Sequence, residues 1–227
     1  MARGPNPLIC LGINIILERL GISGGQGQAS ANQEREIGDL SSIAALRHKA
    51  GSVTIILGRR ESGKTVLAYR LAELLSRPIY AVSPEQAVPK GVIELDFSEL
   101  EDSPPSRSTL ILDDTPVYAS QRDYNSPAVR IMEKLIPVVR HKRKLHLIFV
   151  SQSSALSDRY ILTADIVFLK QPSLLFVETE RPQVARFYRT VAPIFERMNE
   201  AQRKRHVYLI SDDWRGLVRI NMSGLSA

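Results

Sequence analysis

The chain has 227 residues, a net charge of +6, a pI near 9.6 and 44% hydrophobic residues, enough for one large α/β domain with an appendage but not for two full domains. With no run of ~18 apolar residues it reads as a globular protein without a transmembrane helix. The lone cysteine, Cys10, excludes an internal disulfide and nothing reads as a cleavable signal, so a cytosolic compartment is expected, and the positive charge favours anionic partners.

Residues 1–36 form an N-terminal arm: an apolar stretch over 7–20, too short to span a bilayer, and a Gly/Ser/Gln-rich linker over 21–28. Packing on the protein's own core and anchoring to a partner or membrane surface both fit this stretch. Residues 37–227 read as the main domain. It opens with a short helix over 39–49 (apolar Leu40, Ile43, Ala44 and Leu46) and a strand over 53–57. Further strands are expected at 79–82, 92–95, 110–112, 145–150 and 166–169, with helices at 64–75, 127–139 and 182–200. Near-continuous apolar strands separated by helices give an α/β fold with a mostly parallel central sheet flanked by helices. Segments 206–210 and 217–220, separated by a polar turn, give a C-terminal edge hairpin.

The strongest chemical signal is Gly58-Arg59-Arg60-Glu61-Ser62-Gly63-Lys64-Thr65, which matches G-x-x-x-x-G-K-[ST] between a buried strand and a helix. Backbone N–H groups of such a loop wrap phosphates at the positive end of a helix dipole. The glycines admit close backbone approach, Lys64 reaches the β and γ phosphates of ATP, and the Thr65 hydroxyl ligates Mg²⁺. A second signal is Thr109-Leu110-Ile111-Leu112-Asp113-Asp114, an apolar strand delivering two carboxylates to the same sheet edge. Asp113 is expected to hold the metal through water, and Asp114 to polarise the attacking water, although glutamate is usual there and aspartate is one methylene shorter. A third is the strand over 147–150 followed by Ser151-Gln152, where Gln152 is placed to sense the γ-phosphate.

Between the last two lies Arg140-His141-Lys142-Arg143-Lys144, four of its five residues Lys or Arg. Such a patch suits tracking of phosphates without reading bases, or a plain solvated face. Arg203-Lys204-Arg205 is a second cluster. No zinc spacing or helix-turn-helix accompanies them, which argues against sequence-specific reading.

The order P-loop, Leu-Ile-Leu-Asp-Asp, basic stretch, strand-Ser-Gln resembles the FtsK/HerA superfamily of P-loop ATPases over about residues 52–170, and most of all the genome-packaging ATPases of icosahedral viruses with an internal membrane. The chain is shorter than cellular translocases of that superfamily, which carry further DNA-tracking or membrane domains. The resemblance implies a RecA/FtsK-HerA-like fold and a homo-oligomeric ring, a hexamer, with ATP at subunit interfaces and double-stranded DNA in the channel. It implies action in the host cytoplasm and at the packaging vertex of the virion, where the arm would meet capsid vertex proteins or the viral membrane. A ring ATPase needs a cation supplied in trans, for which Arg140 is the first candidate and Arg159 the second. A small P-loop kinase and a virion or pilus assembly ATPase at a membrane are the competing readings.

Overall fold

The structure, a computed structural model, describes residues 37–39, 49–75, 77–83, 87–102, 105–113, 127–152, 164–173, 182–211 and 215–220. The apolar arm, most of the helix expected over 39–49, Asp114, Arg159 and the turn of the C-terminal hairpin lie outside these residues.

Nine strands form one sheet among the described residues, in the order β1-β9-β8-β7-β2-β6-β5-β3-β4. They are β1 Ile37–Asp39, β2 Ser52–Leu57, β3 Ile79–Val82, β4 Ile93–Glu94, β5 Thr109–Leu112, β6 His146–Ser151, β7 Ile166–Leu169, β8 His206–Ser211 and β9 Arg215–Arg219. The run from β7 to β4 is parallel throughout. β8 and β9 then run antiparallel to their neighbours, and β1 joins β9 in parallel. The mostly parallel α/β fold read from the sequence is the fold observed.

The central strands are apolar on both sides because helices cover both faces. Val53, Ile55 and Leu57 of β2 point into one core with Leu110, Leu112, Leu147 and Phe149. That core is closed by Ile131, Met132 and Leu135 of α3 (Pro127–Leu135) and by Tyr188, Val191 and Phe195 of α4 (Pro182–Glu196). Ile56 points the other way with Ile111, Ile148, Val150 and Phe168, against Leu67, Ala68, Leu71 and Ala72 of α1 (Lys64–Leu75). The short helices α2 (Glu99–Asp102) and α5 (Glu200–Arg205) complete the described set.

Three expectations are corrected. The helix expected to run to residue 139 ends at Leu135 and tightens into a 3₁₀ turn, Ile136–Val138. Pro137 has no N–H to donate and its ring crowds the preceding turn. A π turn, Val139–Arg143, follows and ends on Lys144 in the left-handed conformation. The helix expected over 182–200 stops at Glu196, since Asn199 starts a new one: its side chain accepts from the Gln202 N–H, and the Gln202 side chain accepts from the Asn199 N–H. Finally, the C-terminal hairpin is not at the edge. β8 lies on β7 and β9 is covered by β1, whose residues were expected to lead into a helix.

Candidate nucleotide site

β2 lies between β6 and β7, and its last residue, Leu57, is in register with Ser151 and Leu169. The loop that follows is anchored to the end of β7: the Lys170 N–H donates to the Leu57 carbonyl at 2.8 Å, and the Arg59 N–H to the Gln171 carbonyl at 2.9 Å. Gly58 sits so close to this neighbour that a Cβ there would lie 2.6 Å from Lys170 Cβ. The chain then turns back through left-handed conformations at Glu61 (φ 59°) and Gly63 (φ 84°) and enters α1 at Lys64. Glycine adopts that conformation without the penalty that a Cβ imposes. Glu61 adopts it despite its side chain, a local strain of the kind that functional loops retain.

The loop curls around its own lysine. Lys64 is buried and its Nζ donates to the Arg59 carbonyl at 2.9 Å, bridging one side of the loop to the other. Ser62 is buried in the same turn, and its Oγ has no hydrogen-bond partner. The first turn of α1 contains no acidic residue, so the positive end of the helix dipole is unopposed by side chains of its own turn. A lysine folded inward, an orphaned hydroxyl and a helix N-terminus free of acids fit a phosphate group.

β5 reaches this edge two strands away, separated from β2 by β6. The Asp113 N–H donates to the Val82 carbonyl at 3.0 Å, extending the β5–β3 ladder by one residue. The Thr65 hydroxyl donates to Asp113 Oδ2 at 2.9 Å, so two residues 48 positions apart meet across the width of β6. One hydroxyl and one carboxylate fit Mg²⁺, which keeps several waters and takes its other ligands from substrate phosphates. Among the described residues no group of three or more His, Cys, Asp or Glu could hold a metal. Near this carboxylate, the Tyr69 hydroxyl of α1 is raised to about 12, first by burial, then by Asp113 and Glu94.

β6 ends between the two. Ser151 is in register with Leu57, so Gln152 stands one step beyond, half-buried, level with the start of the loop. The structure therefore gathers the loop Gly58, Arg59, Arg60, Glu61, Ser62, Gly63, Lys64, Thr65, together with Asp113 and Gln152, along one edge of the sheet.

Arg140 is elsewhere. The π turn precedes β6 and lies at the amino edge of the sheet, and the six residues of β2 separate the two edges by ~17–20 Å. There Arg140 Nη2 pairs with Asp165 Oδ2 at 3.0 Å, and Lys49 pairs with Asp165 Oδ1 at 3.1 Å. Asp165 Oδ2 also accepts from the Val53 N–H at 2.8 Å. Arg77 ties the same edge together by donating to the Ala50 and Lys144 carbonyls. The second basic cluster is divided: Arg203 turns inward and its Nε donates to the Phe195 carbonyl, whereas Lys204 pairs with Glu200 on the surface.

Sequence reading missed Lys170. It directly follows β7, its side chain is fully buried, and its Nζ donates to the carbonyls of Lys204 (2.6 Å), His206 (2.9 Å) and Arg203 (3.3 Å). Burial, and then the neighbouring Lys64 ammonium, pull it down from the usual lysine range to about 7, while three carbonyl oxygens answer the three N–H donors of its charged form. The available signal was a lysine directly after four apolar strand residues, a position where a charge is not left without partners.

No family model matches the chain, and no curated protein sequence does. Solved structures match in fold. The genome packaging NTPase B204 from Sulfolobus turreted icosahedral virus 2 in complex with ATP-gammaS has 13% identity and a TM-score of 0.56, over 75% of this chain and 98% of that one. The same protein in complex with AMPPCP gives 14%, 0.55, 76% and 100%. B204, the DNA-packaging ATPase from Sulfolobus turreted icosahedral virus, gives 14%, 0.52, 75% and 98%. At this level of identity the likeness is one of fold: the chain has the fold of these P-loop NTPases, as the sequence resemblance to packaging ATPases implied.

Proposed function

We propose that the protein is an ATP-driven translocase of double-stranded DNA that packages a viral genome into a preformed capsid, working as a ring at the packaging vertex in the host cytoplasm. The observation that carries this reading is the Thr65–Asp113 hydrogen bond, which joins the phosphate loop to the end of a strand two positions away and leaves Gln152 between them. That arrangement suits a nucleoside triphosphate with its metal, and the shared fold with packaging NTPases supports the choice of DNA as load.

In this reading Thr65 and, through water, Asp113 would hold Mg²⁺, which would supply charge neutralisation at the phosphates. The loop amides grip the phosphates, and Lys64 exchanges the Arg59 carbonyl for phosphate oxygens. Gln152 senses the γ phosphate, and Asp114 polarises the water whose oxygen attacks the γ phosphorus and takes its proton as the bond to the bridging oxygen breaks, giving ADP and inorganic phosphate. Arg140 stands across the sheet from its own loop, so its service to a phosphate would be to a neighbour's, with Arg159 the other candidate. The exposed His141, Lys142 and Lys144 around it would meet DNA phosphates without reading bases.

The test is phosphate release by the purified protein with and without linear duplex DNA. The expected result is Mg²⁺-dependent hydrolysis that duplex DNA raises at least about threefold and that added salt returns to the basal rate. Lys64→Ala, which removes the loop's fixed cation, is expected to show neither rate. Hydrolysis indifferent to DNA at every salt concentration would remove the DNA motor and favour a kinase or an assembly ATPase.

A further inference from the structure

We infer that Lys170 is a positioning residue that couples the occupancy of the phosphate loop to α5 and the start of β8, an inference that rests on the nucleotide reading of that loop. Its aliphatic stem is packed on the loop. Lys170 Cβ is 2.6 Å from where a Gly58 Cβ would stand, and Lys170 Cε and Nζ are each 3.8 Å from the corresponding point on Gly63. Its backbone N–H holds the Leu57 carbonyl at the root of the loop. Its ammonium end inserts among the carbonyls of Arg203, Lys204 and His206, where α5 ends and β8 begins. One side chain therefore lies against Gly58, passes near Gly63 and reaches the last turn of a separate helix.

α5 itself comes close to the loop at its last turn. The Lys204 carbonyl is 3.8 Å from the same point on Gly63, and the Glu200 carboxyl at the helix start, lowered chiefly by Lys204, is also lowered by Arg59 of the loop. From α5 the linkage continues in two directions. Arg203 donates to the Phe195 carbonyl at the end of α4, and the Arg205 carbonyl accepts from the Ile220 N–H beyond β9. A phosphate that draws Lys64 off the Arg59 carbonyl and presses on the Gly58–Gly63 turn must move or stiffen the Lys170 stem packed against it. The three carbonyls hold the other end of that stem and receive the displacement. The linkage leads away from the strand ends that carry Asp113 and Gln152, into the part of the sheet where β8 and β9 run antiparallel.

The experiment is amide hydrogen exchange of the full chain with and without Mg-ATPγS, in the wild type and in Lys170→Met, which keeps the aliphatic stem and loses the ammonium. In the wild type the nucleotide is expected to slow exchange at 58–66 and, at least about threefold, at 203–208. In Lys170→Met the slowing at 58–66 persists, ATPγS affinity stays within about threefold because the stem still packs, and the response at 203–208 is lost. A stabilising contact alone would change exchange at 203–208 equally with and without nucleotide. The inference is overturned if wild-type 203–208 ignores the nucleotide while 58–66 responds, or if Lys170→Met responds as the wild type does. Absence of any response at 58–66 would instead overturn the nucleotide reading, and the inference with it. Should Lys170→Met not fold, Lys170→Gln, which retains two N–H donors, is expected to keep a reduced response at 203–208, and a full response there overturns the inference.

Discussion

In the proposed reaction Asp113 and Asp114 take separable duties. Asp113 is bound to Thr65 at 2.9 Å, so Asp113→Asn is expected to weaken Mg²⁺-dependent nucleotide binding. Asp114→Asn is expected to bind Mg-ATP as the wild type does and to hydrolyse it at least about a hundredfold more slowly, since an amide cannot take a proton from water. Equilibrium binding and single-turnover hydrolysis on both variants check this; the opposite pattern would exchange the roles. His146 offers a test by pH. It is buried at the start of β6, Nδ1 is 2.8 Å from Ser52 Oγ, and its Nε2 has no partner. Burial, then Arg77, lowers it to about 4, against a partial raising by Asp165. With the folded value below the unfolded one, the unfolded chain takes up the proton first, and stability falls as pH drops from about 6.5 towards 4. His146→Gln is expected to lose this component, on the order of 2 kcal/mol, from denaturant midpoints followed between pH 7 and pH 4.5; a variant as acid-sensitive as the wild type would assign the loss elsewhere. The phosphate-loop residues were legible because four identities at fixed spacing encode a backbone shape. Lys170 was not, because its partners are carbonyl oxygens, which any residue can provide.

Elements with a strong local rule were read well and those decided by tertiary contacts were not. α1 and the strands at 79–82 and 166–169 fall where the apolar pattern puts them, because strands buried on both faces read as unbroken apolar runs bounded by polar turns. Asn199 and Gln202 spell a capping box, and it divides the segment whose apolar pattern predicts one helix over 182–200. β1 could not be read at all: a three-residue strand pairs with β9 through Ile37 and Asp39, far away in the chain, and nothing local favours a strand over the start of a helix. The π turn over 139–143 is the element with most consequence, since π turns recur at functional sites. It aims Arg140 at Asp165, away from its own phosphate loop. If that arginine completes a neighbour's site, Arg140→Ala should bind nucleotide normally and hydrolyse it poorly. Mixing it with Lys64→Ala subunits should then restore part of the activity at hybrid interfaces, read as phosphate release against mixing ratio. Mixtures no more active than the weighted sum of the two variants would assign Arg140 to the amino edge alone.

For the whole molecule, the sheet separates two chemistries by its own length. Phosphate loop, Asp113 and Gln152 occupy the carboxyl edge, while Arg77, Arg140 and the exposed cations around it occupy the amino edge. In the proposed ring, one subunit's amino edge set against the next one's carboxyl edge would bring them together. The sequence conveyed the parallel core, since alternating apolar strands and helices admit few other architectures. It did not convey that β8, β9 and β1 extend the sheet past β7, because antiparallel pairing and a parallel edge strand depend on partners remote in the chain. The central claim, movement along DNA driven by ATP, is tested most directly by displacement of a fluorescent third strand from a triplex at the end of a linear duplex. The expected result is displacement with Mg-ATP, and none with Mg-ATPγS or with Lys64→Ala. Wild-type protein that hydrolyses ATP on the same duplex and leaves the third strand in place would contradict it.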